Sequence, residues 1–376
     1  MKIVIDARTL GSKPSGVGIY TFNYIKELIK TSLHIILLTD IAGSEEMAFL
    51  EAAHIEIRQF GVSTYRSVQV LGYFGFVKKQ LREIQPEYFW EPNFLIPRRL
   101  SGYKGDVMIT IHDMFPVTHR QFFRWKYRWY FKVMLKKTLG YTDIILYDSR
   151  ETKKAAERFY PEARKKRNYV QYVMLPWRDQ EGGEDRGDDR GLKETGGKEY
   201  FLYVGNMEKR KGVDILLEAY EKYREEGGTI PLVLAGKRRE ADVDKRIQRL
   251  VERYREVTYY GYVSDKDKQA LYEGCTCFLF PSMAEGFGIC VLEAMNYYKP
   301  IIASDLSIFK EIAGECLQYF PLQGGRDRQI HQMSQKMFRF RREIDKKAYD
   351  QVMERYDPER LGRDLAEILG STGCRE

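Results

Sequence analysis

Two glutamates, Glu285 and Glu293, stand with seven residues between them in the stretch FLFPSMAEGFGICVLEAMNYYKP, which runs from Phe278 to Pro300. The apolar run Cys277 to Phe280 predicts a buried strand that stops at Pro281, followed by a short polar loop and a helix opening near Gly288. Glu285 then sits in the loop and Glu293 inside the helix, so the two acids have different roles. At about 100° per residue, Val291, Leu292 and Met295 share one helix face and Ile289 and Glu293 another. Backbone N–H groups after Gly286 and Gly288, at a helix start, favour an anion such as a diphosphate, and glycines let it come close. Acids beside an anion-seeking helix start fit a ligand with hydroxyls next to its phosphates, which describes a sugar nucleotide. Glu285 would then accept hydrogen bonds from the hexose and Glu293 from the ribose. The bland alternative makes Glu285 an acid at a helix start and Glu293 a solvated helix residue, and spacing alone favours it.

The whole phrase PSxxEGFGxxxLEAM resembles the signature of the retaining glycosyltransferases of family 4, which have the GT-B fold. The resemblance continues through VGNMEKRKGVDILLEAY, LVLAGK, YYGYVSDKDKQALY and IIASDLSIFKEIAG, covers essentially all of residues 200 to 320, and is weaker in the first half. It implies an α/β chain of two Rossmann-like doubly wound domains facing a central cleft, the donor held by the second and the acceptor by the first. The implied reaction moves a hexose from a nucleotide diphosphate sugar, UDP- or GDP-linked, to a hydroxyl with retention and without a bound metal. Glu285 would orient the sugar, while Lys211 and Arg210, the basic pair of KRKG, would neutralise the leaving diphosphate. Glu293, Gly286, Phe287, Gly288, Ile289, Gly205, Asn206, Gly236 and Lys237 would line the donor site, with Glu311 nearby. Asn206 stands where many members have arginine. Tyr298 replaces the glycine that usually precedes KP, and MLPW replaces a glycine turn after the first domain's last strand; these departures fall on a local turn and on the hinge.

These residues need strands to carry them. KIVID reads as a first strand, and ARTLGSKPSGVG as a glycine-rich turn into a helix with Tyr20, Tyr24, Leu28 and Ile29 at helical spacing. Gly16 and Gly18 allow close backbone approach to a ligand, or simply make a tight turn, since GxG is a weak signal. In the family this loop lies across the cleft from the donor. HIILL, EIRQF and VMITI continue the strands of a doubly wound sheet. VMITI leads to His112 and Asp113, at the strand end where such sheets bind ligands. IHDMFP resembles the family's HD segment, which implies that His112 positions sugar or acceptor; it is not read as a base. IILYD, a helix capped by Ser149 and VQYVML complete the first domain. In the second, YFLYVG, LVLAG and Val257 to Tyr260 are strands, and the acids at 242 to 244 and 265 to 267 read as helix starts rather than a metal-binding DxD.

The segment from His119 to Tyr141 holds seven Lys or Arg residues, no acid and many aromatics. It predicts one long helix that lies on an anionic membrane surface or packs as a domain helix with a solvated basic face; both readings stand. Nucleic acid is disfavoured, because no RNP, KH or zinc-finger pattern accompanies the patch.

Composition bounds the rest. A chain of 376 residues with 43% hydrophobic content can build two cores. Residues 1–177 carry 28 basic and 17 acidic groups and residues 200–376 carry 29 of each, so the first half is suited to an acidic acceptor or membrane surface. Expected boundaries are 1–177 for the acceptor-side domain, 178–199 for a flexible, acidic, glycine-rich linker, 200–355 for the donor domain and 356–376 for a closing helix and tail. Five cysteines without CxxC spacing read as reduced, and neither a metal nor another cofactor is expected. No run reaches the roughly 18 apolar residues of a membrane span, and Asp6 interrupts what a signal peptide would need. The expected location is cytoplasmic, or peripheral on the inner face of the membrane, and the expected acceptor a lipid-linked or cell-surface glycan. The rivals are another GT-B enzyme acting on soluble sugars, such as a phosphorylase, for which no pyridoxal lysine is marked, and a non-catalytic protein that binds sugar nucleotides or membrane.

Overall fold

The computed structural model describes residues 1–11, 14–64, 67–175 and 199–370, which fall into two compact units. Unit one comprises Met1–Pro176 with Tyr356–Glu376, and unit two Trp177–Arg355. Residues 178–198 of the expected linker, Cys374 and the last two residues of MLPW lie outside the described residues.

Unit one is a seven-stranded parallel sheet made of β1 (Lys2–Asp6), β2 (His34–Thr39), β3 (Glu56–Gln59), β4 (Tyr88–Glu91), β5 (Asp106–Ile111), β6 (Ile144–Tyr147) and β7 (Arg167–Val170), in the order 3-2-1-4-5-6-7. The apolar runs arise because helices cover both faces, so neither face of a strand can be polar. Alternate residues feed two cores: Val4, Ile36, Phe89, Ile109 and Ile145 on one side, and Ile3, Ile5, Leu37, Trp90 and Ile144 on the other. The closing helix Pro358–Ile368, capped by Asp357, brings Leu361 and Leu365 into the second core against the helix Gly16–Leu28. Gln171 fixes it by donating to the Leu361 carbonyl at 2.7 Å.

Two expectations change here. YFWE, absent from the expected strands, is the central strand β4, with Trp90 Nε1 donating to Thr110 Oγ1 at 2.9 Å inside the sheet. The single helix expected from His119 to Tyr141 is instead a 3₁₀ turn at Arg120–Phe122 and a helix only from Trp125 to Leu139. Aromatics at 122, 123, 125, 127, 129, 130 and 131 follow no 3.6-residue period, so one continuous helix has no face that buries them all. Phe123 is extended and stacks on Tyr127 at 5.9 Å, marking the break.

Unit two repeats the plan with six parallel strands: β8 (Phe201–Val204), β9 (Leu232–Ala235), β10 (Val257–Gly261), β11 (Cys277–Phe280), β12 (Ile301–Ser304) and β13 (Gln318–Phe320). Their order is 10-9-8-11-12-13, so the winding reverses between β8 and β11. In open parallel sheets, ligands bind beyond the carboxyl ends of the strands at such a reversal. Asp242 and Asp244, and Asp265 and Asp267, lie in the first turns of the helices Ala241–Arg253 and Asp265–Gly274. Tyr298, in the place of a glycine, takes the left-handed conformation itself, with φ of 51°. Its hydroxyl donates to Asp350 at 2.6 Å and Lys346 lies over its ring, contacts that offset the roughly 1–2 kcal/mol of that backbone geometry.

Candidate active site

At the reversal in unit two, the loops that follow β8 and β11 meet. After β8 the chain runs through Gly205 and Asn206 to a 3₁₀ turn, Lys209–Lys211, and Gly212 then caps the helix Val213–Glu225. Gly212 is required: its φ is +67°, and a Cβ there would stand 1.9 Å from the Pro281 carbonyl oxygen. That contact presses the first loop onto the second, which follows β11. The Arg210 carbonyl accepts from Met283 N at 2.8 Å, and Arg210 Nη1 donates to the Ala284 carbonyl at 2.8 Å. Glu208 holds the other end of the guanidinium at 2.5 Å.

This stapling delivers Lys211 to Glu285, with Nζ 2.6 Å from Oε1. Ser282 Oγ donates to the same oxygen at 2.7 Å. The pair is mostly buried, with 17% and 7% of the side chains exposed, so each charge depends on the other for solvation. Phe280 lies under the lysine at 5.7 Å. Gly288 then adopts φ of +101° and caps the helix Ile289–Asn296. Val291, Leu292 and Met295 of that helix are buried, as is Phe287 before it, while Ile289 and Glu293 are half-buried.

Glu293 is held at both oxygens, Oε1 by Lys268 at 2.9 Å and Oε2 by the Tyr272 hydroxyl at 2.9 Å. Burial alone would depress the Lys268 ammonium, but Glu293 and Asp265 outweigh it and raise its pKa. Burial pushes the Cys290 thiol up to about 12, and that thiol feels the charges of Glu293, Lys211, Lys268 and Glu285. Both acids and both lysines therefore share one neighbourhood. Ser282, Glu208, Lys268 and Tyr272 were not singled out in the sequence. Ser282 lies inside the quoted PS motif, whereas nothing in the sequence marks Lys268 beyond its place in a charged helix start.

Gly205 and Gly236 follow β8 and β9, and a Cβ on Gly236, whose φ is +143°, would lie 1.8 Å from the Gly205 oxygen. The Asn206 carbonyl accepts from the Tyr203 hydroxyl at 3.0 Å. Lys237 lies 4.4 Å over the ring of Tyr262, which is 73% exposed. Glu311 sits in the helix Ser307–Ala313 that follows β12.

His112, Gly16 and Gly18 belong to unit one. His112 Nε2 donates to the Pro92 carbonyl at 2.7 Å, and Nδ1 faces Asp148 at 2.7 Å. Burial pulls the imidazole pKa down, yet the Asp148 carboxylate and these hydrogen bonds carry it above its ordinary value. Both ring nitrogens are engaged, so the ring is a fixed support. Tyr20 abuts its edge at 4.9 Å. Ser15 caps the helix that begins at Gly16 by accepting from Gly18 N at 3.1 Å, and Gly18 packs directly on Thr9. A further cluster not foreseen lies where β1 and β4 end: Arg8 bridges Asp6 at 3.2 Å and Glu91 at 3.5 Å over the ring of Phe74.

Comparison with known proteins agrees with this architecture. Residues 185–319 match the sequence profile of the glycosyl transferases group 1. The chain is 41% identical over 121 residues to O-antigen chain mannosyltransferase B of Escherichia coli, a match that spans 31% of each chain. Among solved structures, Anabaena HepE in complex with UDP and glucose superposes with a TM-score of 0.71 at 17% identity, covering 98% of this chain and 99% of that one. The lipopolysaccharide outer core galactosyltransferase WaaB in its apo form superposes at 0.68 and 18% identity, covering 98% and 99%. The chain thus has the GT-B fold, and its second unit carries the segment that is similar to the glycosyl transferases group 1.

Proposed function

We propose that the protein is a retaining, metal-independent glycosyltransferase of family 4 that moves a hexose from a nucleotide diphosphate sugar to a hydroxyl of a lipid-linked or cell-surface glycan. The observation that carries this reading is the Lys211–Glu285 pair at the strand-order reversal, with Arg210 in the same turn. Unit two holds the donor and unit one the acceptor. Lys211 and Arg210 neutralise the charge that builds on the departing diphosphate, a task a preorganised cation performs without a metal. Both contacts to Glu285 fall on Oε1, so Oε2 accepts a hydroxyl of the transferred sugar. Lys211 fixes that carboxylate at Oε1 while it orients the hexose. Departure and attack then occur on one face of the sugar, without a covalent sugar on Glu285. Glu293, braced by Lys268 and Tyr272, receives the ribose.

The O-antigen relative is named for mannosyl transfer and the HepE structure holds UDP, so mannose and glucose are the first hexoses to test. A peripheral position on the inner face of the membrane suits such an acceptor. Among the described residues, no helix is long and apolar enough to cross a bilayer. The test is calorimetric binding of UDP and GDP to the purified protein in EDTA. Tight binding of one nucleotide without metal is expected. Binding that appears only with Mn²⁺ would overturn the metal-independent donor site, and no binding under either condition would overturn the donor site itself.

A further inference from the structure

The helix Trp125–Leu139 buries one side, through Phe131, Met134, Leu135, Thr138 and Leu139, in the core of unit one. At about 100° per residue, the opposite arc is formed in angular order by Lys132, Trp125, Lys136, Trp129, Val133, Lys126, Lys137 and Tyr130. Apart from Val133, every position on that arc is basic or aromatic. Trp125 is 69% and Trp129 65% exposed, whereas Trp90 of the same unit is fully buried. Tyr130 is 43% exposed. No acid occurs between Met114 and Tyr141, so this face has no charge of opposite sign within its own segment.

We propose that this face is a docking surface for an anionic lipid bilayer, with Trp125 and Trp129 entering the headgroup boundary and Lys126, Lys132, Lys136 and Lys137 contacting acidic headgroups. Indole rings with an apolar body and one N–H donor are suited to that boundary, and lysines beside them reach phosphate on flexible stems. Charge complementarity selects the occupant. A second copy of the chain would bring four lysines against four lysines, and a neutral apolar partner would leave all of them without counter-charge. The helix has already satisfied its own core, so the exposed indoles are not needed for packing. This surface belongs to unit one and the proposed donor residues to unit two, and the inference does not rest on the transfer reaction.

The test is co-sedimentation of the whole protein with phosphatidylcholine vesicles, with and without phosphatidylglycerol, followed also by tryptophan emission. The wild type is expected to bind only the anionic vesicles, with a blue-shifted emission, and to be released as salt screens the charges. Each lysine near an anionic leaflet is worth about fivefold in partitioning, so replacing all four by glutamine should weaken binding about 600-fold. Trp125→Ser with Trp129→Ser should lose the blue shift and most of the binding. Both variants should keep the wild-type circular dichroism and nucleotide affinity, because their changed side chains point away from the core. Equal binding to neutral vesicles, no binding by the folded wild type, or undiminished binding by either variant would overturn the proposal. So would tighter binding of single-stranded RNA than of anionic vesicles, or a dimer that the tryptophan replacements dissolve.

Discussion

Lys211 and Glu285 are 74 residues apart in sequence and 2.6 Å apart in space, joined where the strand order of unit two reverses. Neither loop could place its own residue: Gly212 lets the first loop press on Pro281, and Arg210 bonds the second loop at Ala284. The pair is a product of topology and one bare backbone position.

Glu285→Gln should abolish transfer while leaving nucleotide affinity nearly unchanged, since the amide cannot hold the hexose as a carboxylate does. Lys211→Met should weaken nucleotide diphosphate binding and also destabilise the fold by about 3 kcal/mol, because it strands a mostly buried carboxylate. Calorimetry with nucleotide and thermal melts separate the two effects. Unchanged transfer by Glu285→Gln would remove it from the chemistry.

Glu293 tests the other half of the site. Glu293→Gln should raise the dissociation constant for nucleoside diphosphate by about tenfold, the value of one charge-assisted hydrogen bond, with little change in the rate at saturating donor. Lys268→Met should produce a smaller loss in the same direction, because Tyr272 still holds Oε2. Affinity unchanged in both variants would remove the ribose contact.

Much of this was legible in the sequence, for physical reasons that differ by element. KIVID, HIILL and FLF are apolar because they are buried on both faces, and burial on both faces is what a parallel sheet demands. The strand–loop–helix unit around Glu285 could be read because proline and glycine punctuate it. YFWE was missed because four residues ending in an acid look like a loop, and its acid is paired by Arg8 from the turn after β1. The break at Phe123 was missed because the basic residues recur every four while the aromatics do not. Lys268 and Asp148 have no signal at all: each gains its meaning only from a partner that the fold supplies, Glu293 at 2.9 Å and His112 at 2.7 Å.

Two glycines should respond in opposite ways. Gly212→Ala places a Cβ inside the Pro281 carbonyl and should destabilise unit two by about 3 kcal/mol, with loss of transfer. Nothing lies within 4 Å of a Cβ on Gly16, at the start of its helix, so Gly16→Ala should leave the melting temperature unchanged or slightly raised. A fall in transfer rate by that stable variant is the expected sign that a ligand approaches the loop; full activity would make the loop a plain turn.

His112 should impose a pH dependence on unit one. Its pKa is raised on folding, so its contact with Asp148 stabilises the fold fully below the unfolded value of about 6.5 and is lost as pH rises through the higher folded value. Against His112→Gln, which keeps a donor for Pro92 but carries no charge, the wild type should melt higher at pH 6, and the gap should narrow toward pH 9. The variant should be able to retain nucleotide binding, since His112 belongs to unit one and the proposed donor residues to unit two. A gap that does not change with pH would show that the ring is held as a neutral spacer.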